Sequence, residues 1–510
     1  MNVSTEPVAR ATAMPTAPTV TDAWARRYAP AFALATVLAA VNAFVGIGAN
    51  SVARDEGFSI STSVRSWSSF VHLSVTTETN AWLYATVLKA WSALGTSPGM
   101  LRVPSALAFV ATVPLVADLG RRLFDRRHGA IAALLVAVNG SLLMFAQQIR
   151  GYAFAVAFAV GATIAFVIDV RRPSRLAFAA WIVLVVAAAS CQLHTVTVVV
   201  PHFASLLVLP AAERRWRRRL GGLALAGLLV VPLAFAVSRH EEGQRLLGFR
   251  LGVFRDVLYT FSGRSGVIGV AVFAAAGAAL IAMVRAVVRR PAAPDRFALV
   301  LVAAWMVLPF TFLLAGSLAQ PTLIGRYLLF CVPAMTFAMA LLVGRLWSMA
   351  GRFRPLAIAG MLPLLVGSMV GSMSWHRDSH TEPWDDVAAY VFDNARADDR
   401  LVVANDSVRL FFEYERTRRS APPVGPLPGY PADPWGRYET GDQAYLSPTE
   451  AEMAAVASGA GRVWVVVGHK HVDADVMAER TKALDTAFRV AEHRTFSGHI
   501  DVYLYERTNP

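Results

Sequence analysis

Charged residues are scarce in this chain. They make up 16% of its 510 residues, where a soluble protein carries about a quarter. With 55% hydrophobic residues and a mean hydropathy of +0.46, that shortfall excludes a purely water-soluble protein. Cysteine is nearly missing too: Cys191 and Cys331 sit at the edges of apolar segments and fit neither a disulfide framework nor a metal-ligand spacing. Residues 1–28, rich in Ala, Thr and Pro, hold no apolar h-region, so they read as a disordered cytoplasmic tail rather than a secretory signal. The two halves of the chain show no similarity to each other, which speaks against the inverted repeats of many transporters.

What is present is a series of apolar blocks, each roughly twenty residues long, the length that crosses a hydrocarbon core about 30 Å thick. About eleven spans are expected, at 29–49, 101–120, 129–146, 151–170, 176–191, 195–211, 220–238, 266–288, 297–317, 327–347 and 355–374. The net charge of +13 does not mark a nucleic-acid partner, because the arginines fall in short clusters between these blocks. Arg121, Arg122, Arg126 and Arg127 form one such cluster; Arg171, Arg172 and Arg175 form the next, and Arg214, Arg215, Arg217, Arg218 and Arg219 a third. Arg285, Arg289, Arg290 and Arg296 follow, then Arg345, Arg352 and Arg354. Basic loops stay cytoplasmic, so the expected topology has the N-terminus inside a cell membrane and residues 375–510 outside it. The pair 176–191 and 195–211 needs a tight turn at Gln192, Leu193 and His194, and reads either as two spans or as one longer helix.

Residues 29–374 thus form a transmembrane domain with two long outer loops, 50–100 and 239–265. The first contains an amphipathic stretch, 81–94, which reads as a helix lying in the membrane interface. The second carries Arg239, Arg245, Arg250, Arg255 and Arg264, suited either to anionic ligands or to acidic lipid headgroups. After Trp375 the pattern changes to alternating short helices (384–395, 449–457, 475–490) and strands (400–404, 462–467, 500–505). This predicts a small α/β domain with a partly parallel sheet, interrupted by a long loop at 420–448.

Chemistry is expected where long loops and polar residues converge, at the outer ends of the spans. Asp55 and Glu56 are the first acids beyond the first span, and a carboxylate near an apolar boundary can take a proton from a hydroxyl. An acidic pair in a loop is also commonly just solvated. Arg150 beside Tyr152, and Arg326 beside Tyr327, stand at outer helix ends. Arginine suits phosphate through bidentate hydrogen bonds, while Arg and Tyr equally serve as interfacial anchors. His194 reads as a phosphate or sugar ligand, or as a structural histidine.

Several segments, in order, resemble the GT-C glycosyltransferases, in particular the bacterial group that includes mannosyltransferases, lipid A sugar transferases and protein O-mannosyltransferases. They are Asp55-Glu56, ETNAWLYATVLKAW from Glu78, LRVPSALAFVATVPLVADLGRRLFDRR from Leu101, AQQIRGYA from Ala146, GRYLLFCVPA from Gly325 and PWDDVAAYVFDNARADDRLVV from Pro383. The resemblance implies a GT-C-like polytopic α-helical fold and transfer of a sugar, mannose being one candidate, from a polyprenyl-phosphate donor. The acceptor would be an extracytoplasmic glycan, lipid or protein, and the anomeric carbon would invert. It implies Asp55 as the general base, with Glu56 supporting it or binding the acceptor, and Arg150, Tyr152, Arg326 and Tyr327 on the donor phosphate. Glu78, Asn80, Gln148 and His194 would face acceptor or sugar. The chain departs from these relatives in having Gln147-Gln148 where they commonly have Gln-Glu, and Asn80-Ala81-Trp82 where many have His-Pro-Pro. No cofactor is expected, since scattered carboxylates are a weak basis for a hard-cation site. The other readings are a transporter or flippase of lipid-linked saccharides, or an inactive scaffold relative.

Overall fold

In a computed structural model of the chain, the described residues are 20–52, 54–76, 79–240, 252–261, 266–290, 295–319, 323–348, 351, 382–403, 406–418, 429–430, 449–468, 481–482 and 484–508. Ten of the eleven expected spans fall on apolar helices; the eleventh, 355–374, lies outside the described residues. The helices are α1 (Val20–Phe44), α2 (Arg54–Val64), α3 (Trp67–Thr76), α4 (Trp82–Trp91), α5 (Pro98–Leu123), α6 (Arg126–Ala137), α7 (Gly140–Ala146) and α8 (Tyr152–Arg171). They continue with α9 (Arg175–Cys191), α10 (Val199–Leu206), α11 (Ala211–Arg214), α12 (Trp216–His240), α13 (Gly252–Phe261), α14 (Gly266–Arg289), α15 (Arg296–Ala319) and α16 (Val332–Ser348). Tight 3-10 turns, Leu193–Val198 and Gly325–Cys331, lead into α10 and α16. Among the described residues, six helices are long and apolar enough to cross a membrane, or seven if the bent pair of α6 and α7 counts as one span. The chain is a polytopic α-helical membrane protein with a small C-terminal sheet.

Short polar residues between the apolar blocks start the helices. The side chains of Ser97, Asp125, Asn139 and Ser174 accept from the backbone N–H of Met100, His128, Leu142 and Ala177, filling donors that a helix start leaves open. Asn139 also corrects an expectation: 129–146 is not one straight span, because this cap begins α7 anew and the two helices meet at 59°. The start of the first helix is corrected as well. α1 begins at Val20, so the boundary set at residue 28 falls inside it; residues 1–19 lie outside the described residues.

The uncertain turn resolves into two helices. The backbone extends at Gln192 (φ −161°, ψ 108°), and the chain then runs back along α9 until His202 reaches the level of Trp181. The fully buried His202 has its hydrogen bonds fixed by its neighbours. The Trp181 indole can only donate, so Nδ1 accepts at 3.2 Å and Nε2 carries the proton toward Thr163 Oγ1 at 3.0 Å. Thr163 in turn donates to Ala159 O at 2.8 Å.

The C-terminal part comprises α17 (Trp384–Asn394), β1 (Arg400–Val403), α18 (Asp406–Arg418), β2 (Gly429–Tyr430), α19 (Glu450–Ala457), β3 (Arg462–Gly468), β4 (Phe488–Phe496) and β5 (Ile500–Arg507). Strand order is β2-β1-β3-β5-β4, with β1 parallel to β2 and β3, and β5 antiparallel to β3 and β4. β4 and α18 were not anticipated, and the helix expected at 475–490 ends before β4 begins at Phe488. Exposed on both faces, β4 lacks the alternation that marks a strand; its hairpin to β5 turns on Gly498 and His499, both at positive φ. Most of the expected loop 420–448 and of the outer loop 239–265 lies outside the described residues, apart from β2 and α13.

Candidate active site

The loop after α1 is pinned first. Gly46 adopts φ +66°, and the Gln147 amide nitrogen lies 2.8–3.1 Å from the carbonyls of Asn42, Ala43 and Val45, covering acceptors that the helix end leaves open. Gln147 is thus buried structure, while the neighbouring Gln148 is half-buried at the same turn.

α2 follows, and its first turn carries both acids. Successive helix residues point about 100° apart, so Asp55 and Glu56 meet different surroundings. Glu56 is 1% exposed and locked to Arg102 of α5, with Nε–Oε1 at 3.0 Å and Nη2–Oε2 at 2.9 Å. Oε1 also accepts from the Ile149 N–H at 2.7 Å. Arg102 spends its remaining donors on the carbonyls of Ile47, Asn50 and Ser51, at 2.9–3.0 Å. Glu56 is therefore a structural anchor whose carboxylate is fully engaged. Arg102 escaped the sequence reading, although a lone cation entering an apolar span signals a buried partner.

Asp55 faces the other way. Its side chain is 44% exposed and lies 3.6 Å from the Arg326 guanidinium. Arg326 comes from the 3-10 turn before α16, held against α13 by the Gly325 N–H donating to Asp256 Oδ2 at 2.5 Å. A Cβ at Gly325 would come within 2.7 Å of Asp256 O and 2.5 Å of Thr260 Oγ1, so only glycine permits this approach. Arg150 reaches the same place from the turn before α8. Its Nη1 donates to Asp55 O at 3.1 Å, and its guanidinium lies 6.0 Å from the Tyr152 ring. Tyr327 stacks on His194 with ring centroids 4.5 Å apart, and Arg326 sits 5.8 Å from the Tyr327 ring. Asn80 fixes the turn carrying His194 by accepting from the Leu193 N–H at 3.1 Å.

The structure thus brings Asp55, Arg150, Tyr152, His194, Arg326 and Tyr327 to one end of the bundle, with Asn80 bracing from behind. Glu78 lies outside the described residues. Among the described residues, no three His, Cys, Asp or Glu side chains group as metal ligands.

The C-terminal domain roofs this end. Tyr414 of α18 donates to Thr96 O at 2.9 Å, and the Asp385 N–H of α17 donates to Ser51 Oγ at 3.3 Å. Burial pushes the Tyr414 phenol above its ordinary range, keeping it a donor at neutral pH. One apolar cluster runs from Val52, Ile60 and Leu101 in the membrane part through Trp384, Phe412 and Trp464 in the domain. At the opposite end of the bundle lie the arginine clusters and their acids. Asp169 pairs with Arg218 (2.8 Å) and Arg219 (2.9 Å), and Asp118 with Arg121 and Arg122.

No family model matches the chain, and no curated protein matches it. Among solved structures, that of ArnT from Cupriavidus metallidurans bound to undecaprenyl phosphate superposes with a TM-score of 0.60 at 13% identity, covering 95% of this chain and 98% of that one. The oligosaccharyltransferase AglB from Archaeoglobus fulgidus, in complex with an inhibitory peptide and a dolichol-phosphate, gives 0.55 at 12% identity, covering 95% of this chain and 75% of that one. The chain has the GT-C fold of these membrane glycosyltransferases.

Proposed function

We propose that the chain is a membrane glycosyltransferase that moves a sugar from a polyprenyl-phosphate donor to an acceptor hydroxyl, with inversion, beneath the C-terminal domain. The observation that carries this reading is the half-exposed Asp55, whose carboxylate lies 3.6 Å from the Arg326 guanidinium and whose backbone carbonyl accepts from Arg150. Asp55 is the base that accepts the acceptor's proton as the glycosidic C–O bond to phosphate breaks. Arg326 and Arg150 take the negative charge that builds on the departing phosphate, with Tyr152 and Tyr327 beside them. A donor phosphate arriving at Arg326 competes with its ion pair to Asp55, and so frees the base when the substrate is in place. The His194 ring, on the turn that Asn80 braces, faces sugar or acceptor, as does Gln148; the same role for Glu78 rests on the sequence resemblance alone.

The lipid phosphates bound by ArnT and AglB support the donor class. Mannose as the sugar, and a glycan, lipid or protein as the acceptor, rest on the sequence resemblance. The arginine clusters at the far end support a cytoplasmic N-terminus and an extracytoplasmic roof in the cell membrane.

The test is transfer from radiolabelled polyprenyl-phosphate mannose to endogenous acceptors in membranes containing the full chain. Asp55→Asn is expected to lower transfer by about 10²–10⁴-fold. Arg326→Gln is expected to raise the donor KM and to lower kcat as well, because it removes charge both from the bound donor and from the leaving phosphate. Lipid movement across the bilayer without sugar transfer would favour a transporter instead.

A further inference from the structure

A cavity of about 800 Å³ opens between α1, α6 and α16, far from Asp55. α5 measures the separation: Arg102 at its head binds Glu56, while Arg122 lies about 30 Å along the axis, just before α6 begins. Leu34, Ile131, Leu134 and Val343 line the cavity with apolar surface, and Arg126 and Arg127 stand at its polar end. Leu34 is 55% exposed and Trp347 39%, so the cavity opens on the outside of the bundle, the face that a bilayer covers.

The polar end is cationic despite Asp125. That carboxylate is engaged by His128, accepting from its backbone N–H at 2.9 Å and lying 2.8 Å from its ring Nδ1. The Arg127 guanidinium lies 5.4 Å from the centre of the Trp347 ring, a cation–π distance, and tryptophan favours the headgroup level of a membrane. An apolar slot open to lipid and ending in two arginines presents two chemistries in fixed order. A soluble anion would use the arginines and leave the slot bare. A zwitterionic lipid would fill the slot and gain little from the charge. An amphiphile with an anionic head uses both, as do lipids held in basic pockets between spans.

We propose that this cavity binds an anionic glycerophospholipid. The inference is independent of the sugar-transfer reading. Native mass spectrometry of the delipidated full chain with phosphatidylglycerol or phosphatidylcholine tests it. One phosphatidylglycerol is expected to bind, about thirtyfold more tightly than to the R126Q/R127Q variant, the loss that two surface arginines imply. Leu34→Trp keeps both arginines but obstructs the slot, and is expected to lose the same lipid. Equal binding of the two lipids would overturn the proposal, as would binding of neither, which would mean that part of the chain fills the slot. Phosphatidylglycerol affinity unchanged in both variants, or full displacement by glycerol phosphate, would also overturn it. The comparison of the two lipids on the unsubstituted chain does not depend on any variant folding.

Discussion

Two adjacent acids have opposite fates here, and the cause is a single helix start. α2 begins at Arg54, so one turn aims Asp55 at the cleft and Glu56 into the core. Removing one member of the buried Glu56–Arg102 pair leaves an uncompensated charge. Glu56→Gln or Arg102→Met alone is expected to cost about 3–5 kcal/mol, and the double change Glu56→Leu with Arg102→Met far less. Thermal melts of the three variants in detergent check this; equal losses for single and double changes would show that the pair is not coupled. Asp55 was legible in the sequence because an acid just beyond the first span stands out. Its partition from Glu56 was not, since the segment read as loop and a loop has no faces.

Among the elements, the crossing of α5 and α6 depends on having no side chains. A Cβ at Gly129 would lie 2.5 Å from Ala117 O, and one at Gly120 2.5 Å from Gly129 Cα. Close approach of this kind is what small residues give helices in a membrane. Gly129→Ala is expected to force the helices apart at a cost of about 1–3 kcal/mol, read as a lower melting temperature. In the roof, Tyr390 of α17 lies over the sheet, hydrogen-bonded to Glu492 of β4 and edge-on to Trp464. Burial and the nearby Glu492 carboxylate push its phenol from 10 up to about 12. A raised acid favours its protonated form in the folded chain, so its contribution is complete below pH 10 and fades as pH rises toward 12. The stability gap between wild type and Tyr390→Phe should close over that window, which alkaline unfolding curves can follow. Long apolar helices were readable from length alone. β4 was not, because an edge strand exposed on both faces carries no hydrophobic alternation.

At the scale of the molecule, polarity is sorted to two ends. Asp55, Arg150 and Arg326 lie under the C-terminal domain, while Asp118, Asp169 and the arginine clusters lie at the other end. The spacing of basic clusters made this division readable from sequence. The seam between membrane part and roof was not, since Tyr414 and Thr96 meet only in the fold, 318 residues apart. The most direct measurement is single-turnover transfer by the purified full chain, given a polyprenyl-phosphate sugar and an acceptor-containing membrane extract. Polyprenyl phosphate should be released as sugar is transferred, and Asp55→Asn should slow both by about 10²–10⁴-fold while leaving the protein folded and donor binding intact. Release and transfer undiminished in Asp55→Asn would contradict the account.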